Sequence, residues 1–202
     1  MTTIGDIDKE YTNNGKTIIG VDDVGRGCIA GNLYLGFVSL NILPDYKNIN
    51  DSKKLSNQKR LDLDNFIREN SKNLVMQVSV EQINTGRNLN ELVKVQIING
   101  LNILTNSMHV NRKDIVVFLD GLDNYEYSDY NVVKRSKFDS LSYNVAAASI
   151  LAKNIQVSAM LELDKKFPQY AFSSHNGYGT KKHKEAIEKY GLIDAHRRAW
   201  IK

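Results

Sequence analysis

The sequence contains one cysteine, Cys28, and two prolines, Pro44 and Pro168, among its 202 residues. A single thiol cannot form an intramolecular disulfide, which excludes a disulfide-stabilised scaffold and favours a reducing compartment. No apolar run approaches the length of a membrane-spanning helix, and the polar residues 1–16 lack the apolar segment of a signal peptide. These absences predict a cytoplasmic protein with no membrane association.

Neither sign of charge is present in large excess. Lys and Arg number 27 and Asp and Glu number 23, which gives a formal net charge of +4. This mild excess permits a polyanionic partner but does not require one. The length fits one folded unit, and no repeat, low-complexity tract or linker interrupts it. We therefore predict a single domain over residues 1–202, of which about residues 165–202 form a helical C-terminal flank.

Apolar residues recur with strand periodicity in some segments and with helix periodicity in others, which predicts a layered α/β fold. The predicted strands cover residues 17–22, 31–40, 73–80, 114–121 and 131–134. The predicted helices cover residues 56–70, 89–108, 144–165 and 183–190. A glycine-rich turn joins the first two strands, so we expect these two strands to pair antiparallel.

Two adjacent aspartates, Asp22 and Asp23, end the first predicted strand. Because like charges repel and burial makes each more costly, a cation is expected against them, and hard divalent cations prefer carboxylate oxygens. Asp120 ends the fourth strand, and Asp139 lies in a loop beyond the fifth. Open α/β sheets place their sites at such strand ends, so these four acids predict a site for two divalent cations that cleaves phosphodiesters.

Two of these acids also have simpler interpretations. Asp120 can begin a turn with Gly121, and Asp139 can cap the helix that follows it. The adjacent pair at the end of the first strand has no equally simple structural explanation.

Glycine, tyrosine and basic residues form a second pattern. The turn Gly25-Arg26-Gly27 leaves room for a sugar-phosphate backbone to approach closely. Tyr178 stands between two glycines and before a basic stretch, which suits packing on a nucleotide while cations neutralise phosphates. Taken alone, this stretch and the segments Ser52-Lys53-Lys54 and His196-Arg197-Arg198 are more simply explained as solvated surface. The histidines near the C-terminus are not spaced like zinc ligands, so we predict no zinc site.

Nine segments, in order, resemble motifs of the ribonuclease HII family, and together they span residues 18–200. Five of them are Gly20–Gly27 (family motif GVDExGRG), Ala30-Gly31 (AGP), Asp51–Leu55 (DSKKL), Leu119–Gly121 (VDG) and Lys137–Ser140 (KGDS). The others are Ala146–Lys153 (AAASILAK), Phe167–Tyr170, Gly177–Thr180 and His196–Arg198. The related HIII type reads GTG at the turn, where this chain reads GRG.

The resemblance implies a ribonuclease H-like fold, with a five-stranded mixed sheet flanked by helices. It implies a metal-dependent endonuclease that cleaves the RNA strand of RNA–DNA hybrids. The same activity is implied 5′ of ribonucleotides embedded in duplex DNA, leaving a 3′-hydroxyl and a 5′-phosphate. The implied partner is therefore such a hybrid or ribonucleotide-containing duplex, and we expect the enzyme to act as a monomer.

The resemblance also implies roles for individual residues. The implied catalytic and metal-binding residues are Asp22, Asp23, Asp120 and Asp139. They would hold Mg²⁺ or Mn²⁺, with two ions in the site and Asp22 bridging them. The implied substrate-binding residues are Gly25, Arg26, Gly27, Ser52, Lys53 and Tyr178. The turn would contact the 2′-hydroxyl, which distinguishes RNA from DNA, and Tyr178 would pack on the sugar at the junction.

The chain departs from the family pattern in three places. Asp23 stands where the family has glutamate, so its carboxylate reaches less far. Cys28 and Asn32 replace two prolines, and we expect the turn between them to be looser. Gln156 and Val157 replace an Arg-Asp pair in the long helix, which removes one acid.

Two alternatives therefore stay open. A degenerate family member would bind RNA–DNA hybrids with weak or no cleavage, and Asp23 and Val157 are the residues that support this possibility. Another nuclease on the same fold, such as a junction resolvase or an exonuclease, would share the paired carboxylates but not the glycine turn followed by Tyr178.

Overall fold

The computed structural model describes residues 3–41, 49 and 56–201. Its strands are β1 (Thr17–Val24), β2 (Leu33–Leu40), β3 (Ser71–Val78), β4 (Ile115–Asp120) and β5 (Asn131–Arg135). Its helices are α1 (Asp6–Asn13), α2 (Asn57–Glu69), α3 (Val80–Asn84), α4 (Leu89–Asn106), α5 (Tyr143–Lys166), α6 (Phe172–His175) and α7 (Lys181–Tyr190). Short 3₁₀ turns lie at Arg112–Asp114, Phe138–Ser140, Pro168–Tyr170 and Arg198–Trp200.

The strands form a five-stranded mixed sheet in the order β3-β2-β1-β4-β5. β2 pairs antiparallel with both β1 and β3, whereas β1, β4 and β5 run parallel to one another. The predicted α/β fold with a five-stranded mixed sheet is confirmed, including the antiparallel pairing of the first two strands. Because β1 and β4 are parallel neighbours, their carboxyl ends lie at the same edge of the sheet.

Helices cover both faces of this sheet. On one face, α4 packs against alternate residues of the central strands, and the cluster includes Phe37, Val117 and Leu101. On the other face, α5 lies across β1 and β2, with Ala147 and Ala148 in the buried cluster. Each fully buried large apolar side chain contributes about 1.5–3 kcal/mol by leaving water, so these two layers fix the position of the strand ends.

Two glycines allow α5 to lie close to the sheet. A Cβ at Gly20 would clash with the backbone of Asn144, and a Cβ at Gly36 would clash with the backbone of Ala148. Since the clashing atoms belong to the helix backbone, any side chain at either glycine would displace α5. The close approach places Ser149 of α5 within hydrogen-bonding reach of Asp22 on β1.

The start of α5 is anchored by a buried carboxylate from α1. Asp8 accepts hydrogen bonds from Ser142 Oγ (2.8 Å), Tyr143 N (3.1 Å) and Asn144 Nδ2 (2.7 Å). Ser142 is the N-cap residue, and its hydroxyl accepts from Val145 N. The predicted alternative role of Asp139 as this cap is therefore wrong, because Ser142 fills the cap position.

Several predicted boundaries differ from the observed ones. The third strand ends at Val78 because Ser79 caps α3 and forms a capping box with Gln82. α1 lies in the polar N-terminal segment, where no helix was predicted. α7 begins at Lys181 because the hydroxyl of Thr180 accepts a hydrogen bond from His183 N.

The C-terminal flank consists of α6, α7 and the 3₁₀ turns around them. It packs a small cluster that includes Met160, Tyr170 and Phe172 against Ala30. Ala30 lies in the connection between β1 and β2, so the flank touches the segment that follows the glycine turn. None of the helices in the described residues is long and apolar enough to cross a membrane.

Candidate active site

The register of the parallel strands brings two of the predicted acids together. Val21 of β1 is aligned with Leu119 of β4, so Asp22 and Asp120 follow at the same edge of the sheet. Asp139 reaches this edge on the 3₁₀ turn before α5. The turn is tied to β4, because Phe138 N donates to Asp120 Oδ1 at 2.6 Å.

Asp22 is buried, and the charges of the other three acids act on its carboxyl. Burial, first of all, raises the pKa of its carboxyl well above the ordinary value, and the charges of Asp120, Asp23 and Asp139 raise it further. A hydrogen bond with Ser149 opposes these effects but does not cancel them. The site thus combines low dielectric with several like charges, an arrangement that a divalent cation would relieve.

Asp23 faces a different neighbour. Its carboxylate accepts hydrogen bonds from Arg26 Nη2 at 2.9 Å and from Arg26 Nε at 3.2 Å. Arg26 also donates to Asn90 Oδ1 at 2.6 Å, which fixes the guanidinium against the first turn of α4. The second aspartate of the pair is therefore held by the glycine turn itself.

The donor set fits a hard divalent cation, although the side chains do not enclose one. Within residues 3–41, 49 and 56–201, no group of three His, Cys, Asp or Glu side chains has the geometry to hold a metal ion. The carboxylates nevertheless lie near enough for their charges to raise the pKa of Asp22. Carboxylate oxygens at a buried strand end are the ligands that Mg²⁺ and Mn²⁺ prefer, so the chemistry of the site fits such an ion.

The glycine turn and Tyr178 lie together beside the acids. Cys28 and Tyr178 form an antiparallel β-bridge. A Cβ at Gly27 would lie 3.6 Å from Cε1 of the Tyr178 ring, so the ring stands next to the turn, with 41% of the residue exposed. Gly25 has a φ of +95°, a conformation that glycine adopts without strain. An exposed aromatic ring therefore flanks a turn whose backbone is open to close approach.

The substitutions near the turn add hydrogen bonds that proline could not make. Cys28 N donates to Gly25 O at 3.2 Å, and its thiol donates to Asn176 O at 3.3 Å. Asn32 accepts from Val80 N at 3.0 Å through its side chain. The expectation of a looser turn is wrong, because both replacement residues tie it to neighbouring segments.

Gln156 also supports the turn, in place of the arginine of the family pattern. Its side chain is buried, accepts a hydrogen bond from Lys153 Nζ at 2.6 Å and donates to Cys28 Sγ at 3.3 Å. Its Nε2 would lie 3.1 Å from a Cβ at Gly25, so it packs directly beneath that glycine. Val157 is half-buried.

Two predicted site residues, Ser52 and Lys53, lie outside the described residues. The interpretation of His196-Arg197-Arg198 as solvated surface is wrong for two of its three members. His196 and Arg197 are fully buried, whereas Arg198 is exposed and pairs with Asp194 at 3.1 Å. Charge alone does not reveal this burial, and only the family-like HRR motif singles the segment out.

Sequence spacing also failed to reveal that three histidines converge beneath Tyr178. The rings of His175 and His183 stack with centroids 4.2 Å apart, and His183 Nε2 lies 3.2 Å from His196 Nε2. His183 Nδ1 lies 2.9 Å from Tyr178 O. Ile193 N donates to His196 Nδ1 at 2.9 Å, so His196 holds its proton on Nε2 and donates it to His183. A continuous hydrogen-bond chain thus ends on the Tyr178 backbone.

Comparison with known proteins assigns the chain to a family. The family model for ribonuclease HII matches residues 19–202, which include all four acids, the turn and Tyr178. The chain belongs to the ribonuclease HII family. It is 37% identical over 193 residues to a ribonuclease HII of Rickettsia akari, covering 96% of this chain and 94% of that protein. Ribonuclease HII enzymes are endoribonucleases of RNA–DNA hybrids, so this chain is an enzyme of that class.

Solved structures agree on the fold. The ribonuclease HII in a PCNA complex from Archaeoglobus fulgidus superposes with a TM-score of 0.73 at 24% identity, covering 91% of this chain and 95% of that one. Bst-RNase HIII, solved in complex with Mn²⁺, superposes with a TM-score of 0.66 at 17% identity, covering 92% of this chain and 65% of that one. Both resemblances establish the ribonuclease H-like architecture.

Proposed function

We propose that this ribonuclease HII cleaves the RNA strand of RNA–DNA hybrids and also cuts 5′ of single ribonucleotides in duplex DNA. The products would carry a 3′-hydroxyl and a 5′-phosphate. The observation that carries the proposal is the position of Asp22 and Asp120 at one sheet edge, beside the turn Gly25–Gly27 and Tyr178. Reactive acids and a surface suited to a nucleotide thus lie next to each other.

In this proposal, Asp22, Asp23, Asp120 and Asp139 hold Mg²⁺ or Mn²⁺. Such ions, when bound in a pair, activate the attacking water and stabilise the leaving oxygen. The buried Asp22 supplies negative charge that favours a cation, because little water reaches its carboxylate to screen it. Phe138 N holds the Asp120 carboxylate in place, and Ser149 holds that of Asp22.

The turn and Tyr178 recognise the ribonucleotide in this proposal. The backbone of Gly25-Arg26-Gly27 approaches the 2′-hydroxyl and the adjoining phosphate, which is possible only where side chains do not block it. Tyr178 packs on the neighbouring sugar, supported from below by the histidine chain. Ser52 and Lys53 contribute further polar contacts to the phosphate backbone.

One specific contact favours the degenerate-binder alternative. The Asp23 side chain is shorter than the glutamate of the family pattern, and its carboxylate is held by Arg26. A site in which this carboxylate stays with Arg26 would bind metal more weakly while still recognising the duplex.

A paired binding and cleavage experiment separates these functions. We expect the wild-type protein with Mg²⁺ or Mn²⁺ to cut the RNA strand of a labelled RNA–DNA hybrid and to leave a matched all-DNA duplex intact. We expect Asp120→Asn to bind the hybrid but not to cut it. Binding without cutting by the wild-type protein would favour the degenerate binder, and cutting of the DNA duplex would favour another nuclease on this fold.

A monomeric state and a cytoplasmic location belong to the same proposal. Sedimentation of the free enzyme tests the monomeric state.

A further inference from the structure

A buried arginine lies directly beneath the glycine turn. Arg197 is 0% exposed. Its Nη1 donates to Gly25 O at 2.8 Å and to Arg26 O at 3.4 Å, and its Nε donates to Gly31 O at 2.8 Å. Arg197 N donates to Ile29 O at 2.8 Å. One residue of the C-terminal flank therefore forms hydrogen bonds to both ends of the segment from Gly25 to Gly31.

This cation is held without a neutralising carboxylate. Among the described residues, no acid pairs with Arg197, and its Nη2 is a buried donor with no hydrogen-bond partner. The guanidinium instead meets backbone carbonyl oxygens and the ring of Trp200, whose centroid lies 5.1 Å from Cζ. A buried, unneutralised charge is costly to a fold. From its position beneath the turn, the cation polarises the carbonyls of Gly25 and Arg26 more strongly than a neutral donor would.

The geometry of the peptide unit determines what the cation does to the turn. The described peptide bonds are all trans, so the N–H of each unit points opposite to its carbonyl. The carbonyls of Gly25 and Arg26 point toward Arg197, and the N–H groups of Arg26 and Gly27 therefore point away from it. Neither of these two N–H groups donates to another described residue.

We infer that Arg197 is a positioning residue for substrate recognition, which orients and polarises the two peptide units of the Gly25-Arg26-Gly27 turn. Each carbonyl that accepts a hydrogen bond from the cation makes the N–H of its own peptide unit a stronger donor. The N–H groups of Arg26 and Gly27 are thereby set as donors toward a phosphate or the 2′-oxygen of a ribonucleotide, in the manner of a backbone anion site. This inference rests on the proposed function, because it assigns a support for the same turn.

The test compares Arg197→Lys with two controls. Lysine keeps the positive charge. Its ammonium group lacks the planar guanidinium whose separate nitrogens let Arg197 donate to Gly31 and to the turn at the same time. Arg198→Gln removes an adjacent exposed cation that pairs with Asp194. Leu101→Ala creates a cavity in the core beneath α4 and lowers stability through lost packing alone.

The readout is steady-state cleavage of a duplex with one ribonucleotide, at saturating Mg²⁺. We expect Arg197→Lys to raise KM at least about tenfold, the size of a charge-assisted hydrogen bond, and to change kcat by less than about threefold. Both controls should retain the wild-type KM. A wild-type KM in folded Arg197→Lys would overturn the inference, and so would an equal rise in KM for Leu101→Ala.

A second readout does not depend on cleavage. In ¹H–¹⁵N spectra, the Arg26 and Gly27 amide resonances should shift in Arg197→Lys and keep their positions in Arg198→Gln. Unchanged amide positions in Arg197→Lys would overturn the inference even if the wild-type enzyme cuts the duplex. A wild-type protein that fails to cut any ribonucleotide-containing duplex would overturn the proposed function, while these amide shifts would still decide the role of Arg197 in the turn.

Discussion

The Asp23 carboxylate is held by the guanidinium of Arg26, three residues further along, with Nη2 at 2.9 Å from Oδ1. This pair joins the end of β1 to the glycine turn and holds the second of the two adjacent acids. The same aspartate replaces the glutamate of the family pattern. The pair therefore links the one altered acid to the segment that we propose to read the ribonucleotide.

Replacing this acid by its longer homologue tests the link. We expect Asp23→Glu to lower the Mg²⁺ or Mn²⁺ concentration that gives half-maximal cleavage by about threefold to tenfold. The added methylene lets the carboxylate approach Asp22 while Arg26 stays bound to Asn90. The measurement is initial rate against metal concentration for each ion. Asp64→Glu, which lengthens a half-buried acid that pairs with Arg68 on α2 and accepts from Asn154, is the matched control. Identical metal curves for Asp23→Glu and wild type would contradict this interpretation.

Asp22→Asn should abolish cleavage and make the metal-free protein more stable. Because burial and three like charges raise the pKa of Asp22, its ionised form costs folding free energy at neutral pH, and asparagine removes this cost. We expect a rise in Tm of about 2–4 °C, which corresponds to about 1 kcal/mol in a chain of this size. Thermal unfolding in EDTA measures it. A lower Tm, or retained cleavage, would show that Asp22 is a structural residue.

Asp8→Ala should reduce stability without changing metal dependence. The variant leaves Ser142, Tyr143 N and Asn144 at the start of α5 without their buried acceptor. Losing hydrogen bonds to a charged group should cost about 2–3 kcal/mol in the free energy of unfolding, as measured by urea denaturation. Asp6→Ala, exposed on the same helix, should change it by less than about 0.5 kcal/mol. Equal effects of the two variants would disprove the anchoring role of Asp8.

The histidine chain beneath Tyr178 should make stability depend on pH. Burial, first of all, lowers the pKa of His183 to about 4 from 6.5, and it also lowers the pKa of His196. Protonated His183 would place an N–H against the Nε2–H of His196, and the nearby His175 ring would add repulsion.

The direction in which stability changes with pH follows from these lowered pKa values. Well above pH 6.5, His183 is neutral in both the folded and the unfolded state. Between pH 6.5 and about 4, the unfolded state binds the proton at this position and the folded state does not. Stability should therefore fall as the pH falls through this window, on the order of 2 kcal/mol for His183. Urea denaturation from pH 7.5 to 4.5 should show a shallower fall for His183→Asn than for wild type. The control His109→Asn removes an exposed histidine and should keep the wild-type slope. Parallel slopes for wild type and His183→Asn would refute the prediction.

The sequence was sufficient to predict the sheet and the strand-end acids. Asp22 and Asp120 each follow a continuous apolar run, and parallel neighbouring strands must end at a common edge. By contrast, the end of β3 was misplaced because Val80 continues the apolar pattern of the strand. The capping geometry of Ser79, which turns the chain into α3, depends on a side-chain bond to Gln82 that periodicity does not report.

The residues that support the glycine turn could not be predicted from the sequence for a different reason. His196 and Arg197 look like surface residues because histidine and arginine are polar, yet both are fully buried. The buried guanidinium of Arg197 donates to backbone carbonyls of Gly25 and Gly31, more than 160 positions earlier in the chain. Contacts of such separation leave no periodic signal in one sequence, so only the folded structure brings the turn and its supports together.

The most direct test of the account is cleavage of an end-labelled DNA duplex that carries one ribonucleotide, with Mg²⁺ or Mn²⁺. The account predicts a single metal-dependent cut 5′ of the ribonucleotide that leaves a 3′-hydroxyl, no cut in the all-DNA duplex and no cut by Asp22→Asn. A cut at another position, or equal cleavage of the all-DNA duplex, would contradict the assignment of the acids and the glycine turn to one ribonucleotide-specific site.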